Sequence, residues 1–186
     1  VYCNKDYTPF SINRDEALKA ICIKHGIEFI TSEDAMLNEP EVVKTINQSN
    51  YTVFTPYWRR AREIPVRPTY SPRSFSFYQG SIKGADKELL KSVCPQKNPL
   101  IAEHGGRTLA KNILNTIEKF EGYSETRDIP SLLTTRLSAH NKFGTISIRE
   151  VHEAFAKKLG VNHALIRQLY WRDFYMQVAY FTPFVY

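Results

Sequence analysis

The run over residues 164–180, ALIRQLYWRDFYMQVAY, constrains this chain more than any other stretch. It contains no Gly and no Pro, and its spacing predicts an unbroken helix of about four turns or more. At the helical period Ile166, Tyr170, Phe174 and Phe181 fall along one side, which calls for a core. Gln168, Trp171, Arg172 and Tyr175 fall at i, i+3, i+4 and i+7 along another. The second face joins an amide, a large π-surface, a fixed cation and a phenol. A base can stack on the indole, its edge can bond to the amide, and a phosphate can sit on the guanidinium. The same face also suits plain amphipathic packing, and the pattern alone serves either use.

The chain of 186 residues is long enough for one or two domains with a real core. Hydrophobic residues make up 42% and charged residues 24%, the balance of a soluble globular protein, while the aromatic share of 13% is high. A net charge of +6 favours an anionic partner such as nucleic acid, though only weakly. Three cysteines, Cys3, Cys22 and Cys94, form no C-x-x-C pair. This argues against a disulfide scaffold and a zinc site, and makes a reducing, intracellular compartment (cytoplasm or nucleus) the default. His25, His104, His140, His152 and His163 show no ligand spacing, so no metal is expected. No apolar run is long enough to span a membrane, and no signal peptide precedes the first strand. Both chain ends read as cuts through a larger fold.

Residues 1–3 form a β-like run and residues 4–9 a polar turn. Asn13 is a good N-cap with Asp15 and Glu16 in the first turn. Leu18, Ile21, Cys22 and His25 share a face, and Gly26 stops that helix before a second strand over 27–30. Strand–helix–strand order marks an α/β unit whose sheet needs further strands. Pro56 stands at a plausible helix start, followed by Arg59, Arg60 and Arg62, which read as a solvated basic face. From residue 64 to 100 the prolines Pro65, Pro68, Pro72, Pro95 and Pro99, with Gly80 and Gly84, suggest an irregular connector. Then helices dominate. Leu109, Ile113, Ile117 and Phe120 carry one over 107–120, and a short helix over 137–143 closes at Gly144. Ser147 caps a helix over 148–159, with Glu150 completing a capping box and Gly160 ending it.

A second chemical block lies over 123–149, YSETRDIPSLLTTRLSAHNKFGTISIR. Thr134, Thr135 and Ser138 with Arg136 place hydroxyls, backbone N–H groups and a cation at a helix start, which suits a pyrophosphate. Ser and Thr also serve there simply as caps. Asp128 is placed to hold Arg127 in a local ion pair.

Both blocks resemble the DNA photolyase/cryptochrome family. RQLYWRDFY is similar to its helix signature R-E-L-x-W-R-[DE]-F-Y, and residues 123–149 are similar to its pattern Y-x-x-x-R-D-x-P…T-[TS]-x-L-S…G-x-[IL]-S-x-R. NKDYTPF and YTVFTP also resemble the family, so the likeness covers the whole chain but only the middle of the family pattern, as in a truncated, class I-like photolyase. The resemblance implies an α+β architecture: a remnant of a Rossmann-like α/β antenna domain over 1–40, a connector over 41–104, and the first helices of an all-helical FAD-binding domain over 105–186. It implies FAD as cofactor, with Tyr123, Thr134, Thr135, Arg136, Leu137, Ser138 and Arg172 at its site. It implies DNA carrying a pyrimidine dimer as partner, met by Arg127 and by Gln168, Leu169, Tyr170, Trp171, Arg172, Asp173, Phe174 and Tyr175. Gln168 and Trp171 take the catalytic positions, with Trp171 stacking on a lesion flipped out of the duplex. In the family, excited reduced FAD donates an electron to a cyclobutane pyrimidine dimer and the ring splits.

Departures qualify what the resemblance implies. Gln168 stands where photolyases carry Glu, and an amide cannot become an acid or an anion. Asn4-Lys5 replaces an Asn-Glu pair that helps seat a folate antenna, so the antenna pigment stays open. Asn141 stands where an apolar residue is common, and needs a partner beside the core. No segment resembles the family's second FAD wall or its tryptophan chain, since Trp58 and Trp171 are the only tryptophans. Weak or absent repair is therefore expected of the chain alone. A non-catalytic, cryptochrome-like DNA- or partner-binding protein is the alternative, and a split enzyme completed by a complementary photolyase fragment is a third reading.

Overall fold

The computed structural model describes residues 1–70, 76, 79–80, 87–93 and 98–185. Pro72, Gly84, Cys94 and Pro95, named above, and the terminal Tyr186 lie outside the described residues. The chain divides into two units, Val1–Thr69 with Gly105–Tyr186, and Tyr70–His104. In the second unit, α3 (Lys87–Val93) carries an exposed i,i+3 ion pair between Lys91 and Glu88 at 2.8 Å.

The larger unit is mostly helical, with one small sheet. β1 (Tyr2–Asn4) and β2 (Ile30–Ser32) pair in parallel, Tyr2 opposite Ile30 and Asn4 opposite Ser32. α1 (Pro9–Lys24) connects them, as parallel strands require. Two sequence expectations shift here. The helix starts at Thr8 rather than Asn13, because Thr8 Oγ1 accepts the Ser11 N–H at 3.3 Å and Pro9 suits the first position. The second strand begins three residues later than the start expected at residue 27, because the parallel register pairs Ile30 with Tyr2. Gly26 ends the helix as expected, at φ 64°. The anticipated apolar face of α1 is mostly solvated, with Cys22 buried but Leu18 41% and Ile21 56% exposed. Cys3 and Cys22 are free thiols.

The core belongs to the helices. α2 (Phe54–Ala61), α4 (Arg107–Asn115), α7 (Ile148–Leu159) and α8 (Ala164–Phe181) supply Phe54, Tyr57, Ala61, Ala110, Leu114, Val151, Phe155, Ile166 and Tyr170 to one buried cluster. α8 packs against both α2 and α7. The helix expected over 107–120 breaks at Thr116, whose hydroxyl donates back to Asn112 O and Ile113 O, and a 3-10 turn follows at Ile117–Phe120. Leu109 stays 39% exposed while Ile117 is fully buried. α5 (Tyr123–Thr126) and α6 (Leu137–Lys142) are short, and α6 closes before Gly144 at φ 62°. α7 has the expected capping box from Ser147 and Glu150.

Residues 33–53 form neither helix nor strand, yet Met36, Leu37 and Val43 are at most 2% exposed. This strap runs from the sheet across α7 and α8. Among the described residues no helix is long and apolar enough to cross a membrane, and no group of three or more His, Cys, Asp and Glu side chains is placed to hold a metal.

Candidate functional site

α8 is fixed at its start by His163. Its Nδ1 accepts the Leu165 N–H at 3.3 Å while Nε2 donates to Glu121 O at 2.9 Å. The core stripe of the helix runs Ile166, Tyr170, Asp173, Phe174 and Gln177, all at most 6% exposed. Leu169 joins it at 5%. Within the run 168–175 expected to meet DNA, the side chains of Leu169, Tyr170, Asp173 and Phe174 turn into the core. Their side chains build the wall from behind. Gln168, Trp171 and Arg172 are half-buried and Tyr175 is 64% exposed.

The two polar residues in that stripe hold the strap. Asp173 Oδ2 accepts the Leu37 N–H at 2.7 Å and the Asn38 N–H at 3.3 Å. Burial pushes its carboxyl up to about 7, against the pull of Arg172 and of those two N–H groups. Gln177 Nε2 donates to Pro40 O at 2.6 Å, while its Oε1 is buried without a partner. Sequence reading missed this anchoring. The signal was there, because Asp173 and Gln177 continue the spacing of Ile166 and Tyr170 at positions that an apolar stripe would fill.

The neighbouring face is built on stacked rings. The Trp171 ring stacks on Phe54 at 3.5 Å with an interplanar angle of 9°, and on Tyr175 at 5.6 Å and 22°. Arg172 donates to Ala35 O and Asn141 O and lies 3.5 Å from Asp173 Oδ1, so its guanidinium joins the strap, α6 and α8. Arg172 and Tyr175 open onto a cleft of about 620 Å³, which Lys5, Arg14, Asn141 and Lys142 also line. Asn141 Oδ1 is buried there without a partner.

The 134–138 segment lies at the start of α6. Thr134, Arg136 and Ser138 are exposed, Thr135 is half-buried with Oγ1 accepting the Leu137 N–H at 3.4 Å, and Arg136 adopts a left-handed backbone at φ 54°. Leu137 is 3% exposed and turns its side chain into the core. Tyr123 is half-buried and packed against the core cluster. Arg127 lies 3.5 Å from Asp128, as expected for a local pair.

A further cluster escaped sequence reading. Arg149 donates to Asp34 Oδ1 at 2.6 Å and to Glu33 O at 2.6 Å, and Ser147 Oγ donates to the same Asp34 oxygen at 2.9 Å. The start of α7 therefore grips the strap where it leaves β2.

Comparison with known proteins finds similar sequences and structures over nearly the whole chain. The sequence profile of the DNA photolyase family matches residues 1–73. A deoxyribodipyrimidine photo-lyase of Alkalihalophilus pseudofirmus is 31% identical, covering 98% of this chain and 40% of the relative. One from Streptomyces griseus is 35% identical, covering 94% and 39% respectively. The archaeal photolyase of Sulfolobus tokodaii, solved with two FAD molecules, superposes with a TM-score of 0.74 at 34% identity over 98% of this chain and 39% of its own. A class III photolyase of Agrobacterium tumefaciens shares the fold, with a TM-score of 0.83 at 24% identity. The chain spans about 40% of the length of the curated photolyases it matches. These matches run over nearly the whole of this chain but only about 40% of each relative, so the chain is similar to DNA photolyases, with the family's profile matched over residues 1–73.

Proposed function

We propose that this chain is the part of a photolyase-type flavoprotein that carries one wall of a lesion pocket and the FAD phosphate cradle, serving light-driven repair of cyclobutane pyrimidine dimers in DNA. The observation that carries this reading is the α8 face. Gln168, Trp171, Arg172 and Tyr175 stand on a helix held by Asp173 and Gln177, in a chain that matches photolyases over 98% of its length. β1, α1 and β2 form a parallel βαβ unit, which we read as part of a Rossmann-like antenna domain over 1–40. Residues 41–104 then form the connector and 105–186 the first part of the helical FAD domain.

The donor set at the start of α6 fits the phosphates of FAD. Thr134 and Ser138 offer exposed hydroxyls, Arg136 a cation, and Thr135 orders the backbone by accepting the Leu137 N–H. Leu137 supports the cradle from the core side. Tyr123 and Arg172 complete the proposed contacts, Arg172 through whatever donor capacity its bonds to Ala35 and Asn141 leave. When bound, reduced and excited by light, FAD supplies the electron that opens the cyclobutane ring. The chain's own residues orient and bind. Gln168 bonds the pyrimidine edge, Tyr175 offers an exposed ring, and Arg127 holds a phosphate.

Two observations favour binding with weak chemistry as the second reading. Gln168 cannot supply a proton or a negative charge, and Phe54 already covers one face of Trp171 at 3.5 Å. Fluorescence titration with FAD tests the cradle: the doubly substituted Thr134→Ala/Ser138→Ala chain is expected to bind at least about fivefold more weakly, and equal affinity sinks the cradle assignment. Gln168→Glu in the flavin-loaded protein is expected to raise the light-driven loss of dimers. No gain removes the role given to position 168.

A further inference from the structure

The cleft between the end of α2 and the start of α8 belongs to none of the sites above. It measures about 420 Å³ and is lined by Trp58, Arg62, Ile64, Asn162, Ile166 and Arg167 among others, with no Asp or Glu in its wall. The Arg167 guanidinium lies 5.0 Å from the Trp58 ring and 5.4 Å from the Phe54 ring. That of Arg62 lies 4.7 Å from the same Trp58 ring. Arg62 spends one N–H on Asn162 Oδ1 at 2.7 Å. The Arg167 guanidinium makes no hydrogen bond or ion pair with a described residue.

The other basic groups on this wall are already committed or neutral. His163 uses both ring nitrogens, toward Leu165 N and Glu121 O. Burial lowers the pKa of His152, so it adds a polar edge and no charge near neutral pH. The positive charge is therefore that of two guanidiniums braced on one indole, beside an apolar wall of Ile64, Val66, Val161 and Ile166. A guanidinium fork with no carboxylate nearby matches phosphate oxygens, and the apolar wall suits a planar group joined to them. The volume falls in the range of small-molecule sites.

We propose that this cleft binds the phosphate of a nucleotide, through Arg167 and Arg62, with the base against the apolar wall. Two sources offer that chemistry, a free mononucleotide and a phosphodiester of a nucleic-acid strand. The site needs neither FAD nor a dimer, so its success or failure is separate from that of the flavin reading.

The test is NMR or calorimetric titration of the chain, in the dark and without FAD, with AMP and with a short single-stranded oligothymidylate. Arg167→Gln is the informative variant, since the side chain is exposed and its contacts are with the faces of the Trp58 and Phe54 rings. It is expected to weaken binding about tenfold, the loss of one charge-assisted contact. Arg60→Gln, whose partner is Glu63 at 3.1 Å and which lies outside this cleft, is expected to change nothing. AMP binding lost in Arg167→Gln assigns a free nucleotide. Oligonucleotide binding alone, lost in the same variant, assigns a strand. No binding of either probe, or binding indifferent to Arg167→Gln, overturns the proposal.

Discussion

Among the described residues α1 and α8 are the two longest helices, with 16 and 18 residues, and they are used in opposite ways. α8 buries seven side chains, among them Asp173 and Gln177. α1 buries two, Ser11 and Cys22, and leaves Phe10 76% and Ile23 69% exposed. Both sequences are rich in apolar residues. Apolar residues lie around the circumference of both; the difference is the neighbours, since α2 and α7 pack on α8, whereas α1 lies beside a two-stranded sheet and leaves Phe10, Ile12, Leu18, Ile21 and Ile23 exposed. A helix becomes a platform for a site when its neighbours close over one face and its polar anchors fix the rotation.

The sharpest way to break this comparison is Phe174→Ala against Ile21→Ala. Phe174 lies at the meeting point of four rings, within 6 Å of Phe54, Tyr57, Trp171 and Tyr175. Its truncation is expected to cost about 3–5 kcal/mol in urea unfolding. Ile21→Ala, 56% exposed, is expected to stay within about 0.5 kcal/mol. Equal losses in the two would mean that α1 is anchored as firmly as α8.

Asp173 offers a subtler test. Its carboxyl is raised in the fold to about 7 from an ordinary value of 3.8, so the folded chain prefers it protonated. That contribution to stability is fully present below the unfolded value and is lost as pH rises through about 7. Unfolding free energy is expected to fall by up to about 4 kcal/mol between pH 4 and pH 8, and Asp173→Asn to flatten that slope. A slope unchanged in Asp173→Asn would show that the bonds to Leu37 and Asn38 already hold Asp173 as an ordinary carboxylate.

How much of this was readable beforehand follows the same division. α7, with its Ser147–Glu150 box and Gly160 stop, and α8, without Gly or Pro, were legible because local chemistry and tertiary packing agree there. α1 was misplaced because Asn13 and Thr8 are both good caps, and only Pro9 and the Ser11 bond decide between them. The strap was illegible. Leu37 and Val43 carry no period, and their burial depends on partners more than a hundred residues away, Asp173 and Gln177. Of the candidate site, the residue types on α8 were legible, but not which of them face inward. That depended on Phe54, Ala35 and Asn141, none of which is near α8 in sequence.

Arg149 marks where the two regions join. It is 11% exposed, binds Asp34 and the Glu33 carbonyl, and lies 3.6 Å from Glu39. Arg149→Gln would leave Asp34 without its cation and Glu39 with Arg67 alone, at an expected cost of about 2 kcal/mol. It is also expected to raise hydrogen exchange in residues 1–34 more than in α8. A uniform rise along the chain would mean that the sheet region and the helices open as one unit.

The smallest effect isolates α1 itself. Thr8 caps it by accepting the Ser11 N–H, and Thr8 Oγ1 donates to Ser11 Oγ at 2.9 Å. Thr8→Ala removes both bonds, and caps of this type are worth about 1 kcal/mol. If α1 opens independently of the helical core, the loss accelerates exchange at its first turn and leaves the urea midpoint of the whole chain unchanged. If α1 is coupled to that core through Tyr7, whose ring meets Tyr180 of α8 edge-on at 5.8 Å, the midpoint falls by the full cap energy. The small contact area of that single ring pair, set against the seven side chains α8 buries, makes the first outcome the expected one.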